Sequence, residues 1–189
     1  MSAKSYKGLQ KKFDGLPDAT KNYLRSMDSL LADSSQYHIA LAYAFMKIEE
    51  GHHRALKCGL VRLHECASAK VDEALAQQHF TRSYFQSVFN NVLGKKIPND
   101  AQQLLKNAEG IRDRLIHGKT VAAGVLRDGL SDALEYIEKL GEFVEERTGK
   151  NPFGDLRGLA GKKELLDVTT SYWVMKGVGL YNAEQKANG

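Results

Sequence analysis

Apolar residues recur along this chain at steps of three and four, the spacing that gathers side chains on one face of an α-helix. Pro17-Asp18 opens a first helical segment that runs to about Leu31, with Leu24, Met27 and Leu31 on a shared face. Asp33-Ser34-Ser35 supplies capping side chains for a longer helix, in which Tyr37, Leu41, Ala44 and Ile48 fall at steps of four, three and four. Ile39, Ala42, Phe45 and Met46 widen that stripe. This helix is therefore expected to be buried on more than one side and to continue past Gly51 towards His64 as the central core element.

A further helical stretch covers roughly 68–93, with an interruption near Thr81 and Gly94 placed to end it. Pro98-Asn99-Asp100 marks the next start, and Leu104, Ala108, Ile111 and Leu115 form its apolar face. After Gly118, a helix from about Thr120 to Arg147 carries Leu126, Leu130, Ala133, Ile137, Leu140 and Val144 in alternating steps of four and three. Gly149 closes it, and its stripe reads as core or as a partner surface. The C-terminal part differs. Gly149, Gly154, Gly158 and Gly161 interrupt the pattern, and residues 168–175, from Val168 to Met175, have a strand-like composition. Trp173, the only tryptophan, reads first as a core anchor and second as an interface anchor.

The periodicity predicts an all-α chain, and 189 residues suit one domain with a tail. A net charge of +4, from 27 Lys+Arg against 23 Asp+Glu, makes the chain mildly basic. Contact with nucleic acid is permitted by that balance but not demanded. Cys58 and Cys66, eight residues apart on one helix, would have α-carbons about 12 Å from each other and could not bridge. They are expected to be buried, reduced thiols, which favours a reducing compartment. The basic stretch Met1 to Gly15 is not followed by a signal-like apolar region, and the apolar run Ile39 to Met46 is too short to cross a bilayer. The expectation is a cytoplasmic protein without a membrane segment.

The segment Arg112-Asp113-Arg114-Leu115-Ile116-His117-Gly118 sets an arginine and a histidine five positions apart beside a helix-breaking glycine. A guanidinium offers a permanent charge and a fork of donors that matches a phosphate, and an imidazole takes and gives a proton near neutral pH. Such a spacing arises by chance about once in a chain of this composition, so its context decides. At about 100° per residue, Arg112 falls on the flank of the apolar face. Asp113 and His117 share the opposite, polar face, where Asp113 is expected to orient His117. On an unbroken helix Arg112 and His117 would point about 140° apart. An end to the helix at Gly118, the reach of arginine, or a second copy across a twofold axis would bring them together.

An all-helical chain of this size with Arg-Asp-x-x-x-His between its last two core helices resembles the HEPN superfamily. That family carries an R-x4-6-H motif, often with Asn, Asp or His directly after the arginine, and Asp113 fits the preference. The resemblance covers residues 35–148. It implies an antiparallel, HEPN-like helical bundle of about five helices: an N-terminal helix and arm over 1–34, the core over 35–148, and a Gly-rich C-terminal appendage over 149–189 that packs on the core or across a dimer. It also implies a homodimer with a metal-independent endoribonuclease site built from both protomers. Many members are toxins or defend against phage, and others have lost catalysis and only bind. His117 would then act as general base on a ribose 2′-OH or as general acid on the leaving 5′ oxygen, and Arg112 would stabilise the phosphorane-like transition state. The product would be a 2′,3′-cyclic phosphate. Asp113 would fix the histidine tautomer, and Arg114 and Lys119 would meet neighbouring phosphates. RNA is the implied substrate, with no cofactor and no metal, and an antitoxin or regulatory protein is a further partner that the resemblance allows.

Plainer accounts stand beside these. Arg112 and His117 also suit a solvated helix end whose cations meet the helix dipole, Asp113 an ordinary surface ion pair, and Arg114 and Lys119 solvated charges. Gly118-Lys119-Thr120 resembles the end of a phosphate-binding loop, but Asp113 stands where the first glycine is required and no strand precedes it. His52, His53, His64 and Cys66 match no zinc spacing and are assigned to packing or surface. Glu49 and Glu50 include a carboxylate that could pair with Arg112 across the bundle, but solvation accounts for most charges on a long helix, and both stay outside the site. Tyr84, Phe85 and Phe89 could stack bases if exposed, yet their helical spacing says core. Three functions follow: a dimeric ribonuclease; a silent HEPN-like module that binds RNA, nucleotide or a partner protein; and a helical interaction protein that uses the stripe on 120–147.

Overall fold

The computed structural model describes residues 5–161 and 164–180. Among them the chain is all-helical, with no strand. The helices are α1 (Tyr6–Asp14), α2 (Asp18–Tyr23), α3 (Met27–Leu31), α4 (Tyr37–Arg62) and α5 (Ser68–Ala76). They continue with α6 (Arg82–Leu93), α7 (Asn99–Ile116), α8 (Ala123–Thr148) and α9 (Val168–Gly177). No helix among the described residues is long and apolar enough to cross a membrane. Among the described residues the chain divides into two compact units, one within residues 1–50 and 98–142 and the other within 51–97 and 143–189.

In the first unit, the basic N-terminus is an element of its own. Ser5 caps α1 by accepting from the Gly8 amide at 3.1 Å, and Leu9 and Phe13 are buried. Lys12 Nζ then fixes α1 to α8, donating to Glu135 Oε2 at 2.6 Å and to Ser131 Oγ at 3.0 Å. The segment expected as one helix to Leu31 is two, α2 and α3, parted at 24–26 where the Met27 amide bonds to the Leu24 carbonyl in a tight turn. Leu24, Met27 and Leu31 are nonetheless all fully buried, so the spacing reported the core side correctly. On α4, Tyr37, Leu41, Ala44 and Ile48 are buried as expected. Its wider stripe is not wholly buried: Phe45 is inside, while Ile39 and Met46 are about half exposed, at 49% and 53%. Helices α7 and α8 are antiparallel. Ile111 fills the space where Gly129 lacks a β-carbon, and Lys139 Nζ meets Asp100 Oδ2 at 2.7 Å further along.

All six stripe residues of α8, from Leu126 to Val144, are buried within the chain itself. They are core, which removes the partner surface that the interaction-protein reading required.

In the second unit, Thr81 caps α6 through a 3.3 Å bond from the Tyr84 amide, and Gly94 ends it. Phe153 is fully buried against Gly51 of α4, where a β-carbon would collide with its ring. Guanidinium groups satisfy helix-terminal carbonyls, Arg147 Nε that of Leu93 at 2.8 Å and Arg62 Nε that of Thr148 at 3.1 Å. The strand-like composition of 168–175 does not give a strand. Asp167 caps α9, accepting from the Thr170 amide at 3.0 Å, and the buried residues Ser171, Tyr172 and Met175 follow the helical step. Ser171 Oγ accepts from the Ala67 amide at 2.9 Å, which ties α9 to the start of α5. Trp173 consequently points away and is 72% exposed, so it is not the core anchor expected of a lone tryptophan.

Cys58 and Cys66 are free and buried as expected, although Cys66 lies past the end of α4 at Arg62, so the two do not share one helix. Burial pushes their thiols up to about 12 and about 11, which leaves no reactive thiolate near neutral pH.

Candidate functional site

The buried face of α7 is rotated by one position from the face read in the sequence. Ala101, Leu105 and Ala108 are buried, whereas Leu104, Ile111 and Leu115 lie half-buried beside them. Continued by four residues, the 101-105-108 series reaches Arg112, so the arginine sits on the inner face. Its guanidinium carbon lies 4.4 Å from the centroid of the Phe45 ring, and Phe45 is itself only 4% exposed. A cation over a buried aromatic face contributes about 1 kcal/mol. The chain thus seats Arg112 on α4 before any ligand arrives.

Two carboxylates complete the seat. Asp113 Oδ1 accepts from Arg112 Nη2 at 3.0 Å and from Nε at 3.3 Å, and Glu49 Oε1 lies 3.8 Å from Nη1. Phe45 and Glu49 are four residues apart on α4 and so share a face, one beneath the guanidinium and one at its end. Glu49 thus joins the site, although solvation was the expected account of its charge. Its one available signal was that four-residue step from a core aromatic, on the helix expected to be central. Glu50, its neighbour, instead pairs with Lys47 at 2.8 Å.

Asp113 was expected to orient His117. Its side chain is turned to Arg112 instead, and among the described residues no hydrogen bond joins Asp113 to the His117 ring. The cause is electrostatic. A neighbouring guanidinium within reach competes for the carboxylate and offers two donors where a ring offers one.

His117 is the last residue of the helix end, and Gly118 follows in the left-handed region at φ +70°. The closure has two bonds, the Lys119 amide to the Arg114 carbonyl at 2.9 Å and the Gly118 amide to the Leu115 carbonyl at 2.9 Å. This is a Schellman ending, which needs the positive φ that glycine supplies without steric cost. An apolar pair often bridges the two residues flanking such an end; here they are Arg114 and Lys119, both exposed. His117 is exposed as well, beside an Ile116 that is 69% exposed. Three cationic or protonatable side chains therefore surround the negative end of the α7 dipole.

The structure thus joins Arg112, Asp113, Glu49 and Phe45 into one contact group. It presents His117, Arg114 and Lys119 to solvent, with no ion pair or hydrogen bond from the His117 ring to that group among the described residues.

The remaining candidates are structural. His52 stacks on Phe85 with ring centroids 3.9 Å apart, His53 meets Phe80 edge-on, and His64 Nε2 lies 2.9 Å from the Val92 carbonyl. Burial, followed by the charges of His53 and Arg82, pushes His52 down to about 3. Among the described residues no three His, Cys, Asp or Glu side chains are gathered as metal ligands. Phe85 and Phe89 are core, and the Tyr84 hydroxyl lies 2.9 Å from both Gln78 Oε1 and the Gly179 carbonyl. No protein-family model matches this sequence, no curated protein matches it, and no solved structure matches it.

Proposed function

We propose that this chain is a metal-independent endoribonuclease of HEPN type, acting as a homodimer. The observation that carries the reading is the division of labour at the end of α7. Arg112 is seated on Phe45 as a fixed cation, and the helix closes so that His117, Arg114 and Lys119 face solvent together. In the proposed reaction His117 takes the proton of a ribose 2′-OH, whose oxygen attacks the adjacent phosphorus. The 5′ oxygen leaves with a proton from the His117 of the second protomer, and Arg112 stabilises the charge that accumulates on the phosphoryl oxygens. The products are a 2′,3′-cyclic phosphate and a 5′-hydroxyl.

A second copy is part of the proposal because one chain presents its histidine without a group to orient it. Ile39, Ala42 and Met46, exposed at steps of three and four on α4, offer an apolar stripe on the same unit as the motif. Across a twofold axis such a stripe would be self-complementary and would bring two copies of the motif into one cleft. A role as a toxin or phage-defence effector, with a neutralising partner, follows from the same resemblance.

One observation favours a second reading, a binding module without catalysis. Asp113 faces Arg112 rather than the ring, so the histidine lacks the tautomer-fixing partner that general-base work favours. Purified protein and its His117→Ala variant, incubated with mixed RNA in EDTA, separate the two. Fragments ending in a cyclic phosphate from the parent alone support the ribonuclease. Retained RNA binding without cleavage by either protein gives the binding module, and neither binding nor cleavage sinks both.

A further inference from the structure

Any anion that approaches Arg112 meets one that is already there. The Nε and Nη2 edge, one of the two edges that grip an oxyanion bidentately, is engaged by Asp113 Oδ1, and Nη1 faces Glu49. Phe45 covers one flat side. The members of this group differ in freedom. The Arg112 side chain is 27% exposed, while those of Asp113 and Glu49 are 54% and 73% exposed. The cation is held and the anions are its loosely held partners, because an exposed ion pair gains little over solvation.

Resting on the reading of the motif as an RNA site, we propose that Asp113 and Glu49 form an exchangeable carboxylate clasp. The clasp keeps Arg112 internally neutralised until a polyanionic backbone displaces it. An isolated monoanion gains at Arg112 no more than the carboxylate it would replace. A nucleic-acid strand meets Arg114 and Lys119 as well, and that added attraction opens the clasp. The device therefore selects for extended polyphosphate chains over small anions, and Asp113 acts on Arg112 as a gate rather than on His117 as an orienting group.

Counterion release gives the clasp a signature. A phosphate neutralised by Arg112 releases its condensed cation in either case, but a carboxylate displaced from the clasp takes up a cation in exchange, so the net release is smaller than at a bare cation. In a His117→Ala background, Asp113→Asn should raise affinity for a short single-stranded RNA several-fold at low salt. It should also steepen the dependence of log affinity on log salt by about 0.7. Glu49→Gln should add to the gain. Both gains should vanish when Arg112 is also replaced by glutamine, because a clasp acts only through its arginine. Gains that persist without Arg112 would reflect net charge alone and overturn the proposal. So would an unchanged affinity and salt slope, or, with His117 present, a fall in kcat at constant KM, which would place Asp113 on the histidine. Titration of inorganic pyrophosphate, read at the Arg112 Nε resonance, separates the gate from the RNA reading. Tighter pyrophosphate binding by Asp113→Asn, with no RNA bound by any variant, keeps the clasp and removes RNA as its ligand. Identical pyrophosphate affinities in parent and variant overturn the clasp itself.

Discussion

Phe45 lies directly beneath Arg112, 4.4 Å from its guanidinium carbon, and couples the middle of α4 to the end of α7. The contact explains why a charged residue ends the inner face of α7 after Ala101, Leu105 and Ala108. The aliphatic stem continues the apolar series, and the flat cation finds a π face in place of water.

Phe45→Leu tests whether that seat matters for binding. Leucine keeps an apolar side chain in the space but removes the ring, so stability should fall by about 1 kcal/mol. If the motif binds RNA as proposed, RNA affinity should fall further than stability suggests, by roughly tenfold for a lost contact of about 1.4 kcal/mol. Fluorescence anisotropy with a labelled RNA, alongside a thermal melt, reads the two effects separately. An affinity equal to the parent's would show that Phe45 only packs.

How much of this was legible in the sequence depends on whether a feature is local. The ends at Gly94, Gly118 and Gly149 were, because a left-handed residue that closes a helix is a property of a few adjacent positions. The α8 stripe was also legible, since six apolar residues in register leave no choice of face. The α7 face was misjudged by one position because Leu104 and Leu105 are both apolar, and only the neighbouring helices decide which turns inward. The same one-step rotation moved Arg112 from the flank of the face onto it. Residues 168–175 misled because β-branched and aromatic composition is a weak preference, which the Asp167 cap and the burial of Ser171, Tyr172 and Met175 outweigh. Glu49 was legible only as one of two candidate partners for Arg112. Its four-residue step from Phe45 puts it on the right face, but residues 49 and 112 are far apart in the chain, so only the packing of α4 on α7 separates it from Glu50, which pairs with Lys47 instead.

If the exposed stripe on α4 is the dimer surface proposed above, it predicts how the protein associates. Met46→Glu places a charge in the middle of Ile39, Ala42 and Met46 without touching the core, since Met46 is 53% exposed. Light scattering coupled to size exclusion should show a dimer for the parent and a monomer for the variant, with an unchanged circular dichroism spectrum. Under the composite-site reading, cleavage should disappear with the dimer. A parent that is monomeric at assay concentrations, yet cleaves RNA, would refute the shared site.

Gly51 predicts a packing defect. A glycine inside a helix costs about 1 kcal/mol relative to alanine, so Gly51→Ala would ordinarily stabilise α4. Here the added β-carbon would collide with the fully buried Phe153 ring. Overpacking should outweigh the helical gain and leave the variant about 1–2 kcal/mol less stable in urea denaturation. Phe153→Leu combined with Gly51→Ala should recover part of that loss, because the smaller side chain vacates the space. No recovery in the double variant would show that the cost arises elsewhere.

His52 predicts an acid sensitivity with a definite window. Burial against Phe85, with His53 and Arg82 nearby, holds its pKa at about 3 in the fold, against an ordinary value of 6.5. Between those values the unfolded chain binds the proton and the folded chain does not, so stability from this residue is complete above pH 6.5 and declines as pH falls towards 3. At pH 4 the loss from His52 alone should be about 3 kcal/mol relative to pH 7. His52→Gln removes the titrating ring. Whatever its cost at pH 7, its unfolding free energy should fall less steeply between pH 7 and pH 4 than the parent's, by that same amount. Parallel profiles for the two proteins would mean that His52 gains its proton without unfolding, through an opening of the His52–Phe85 stack to water.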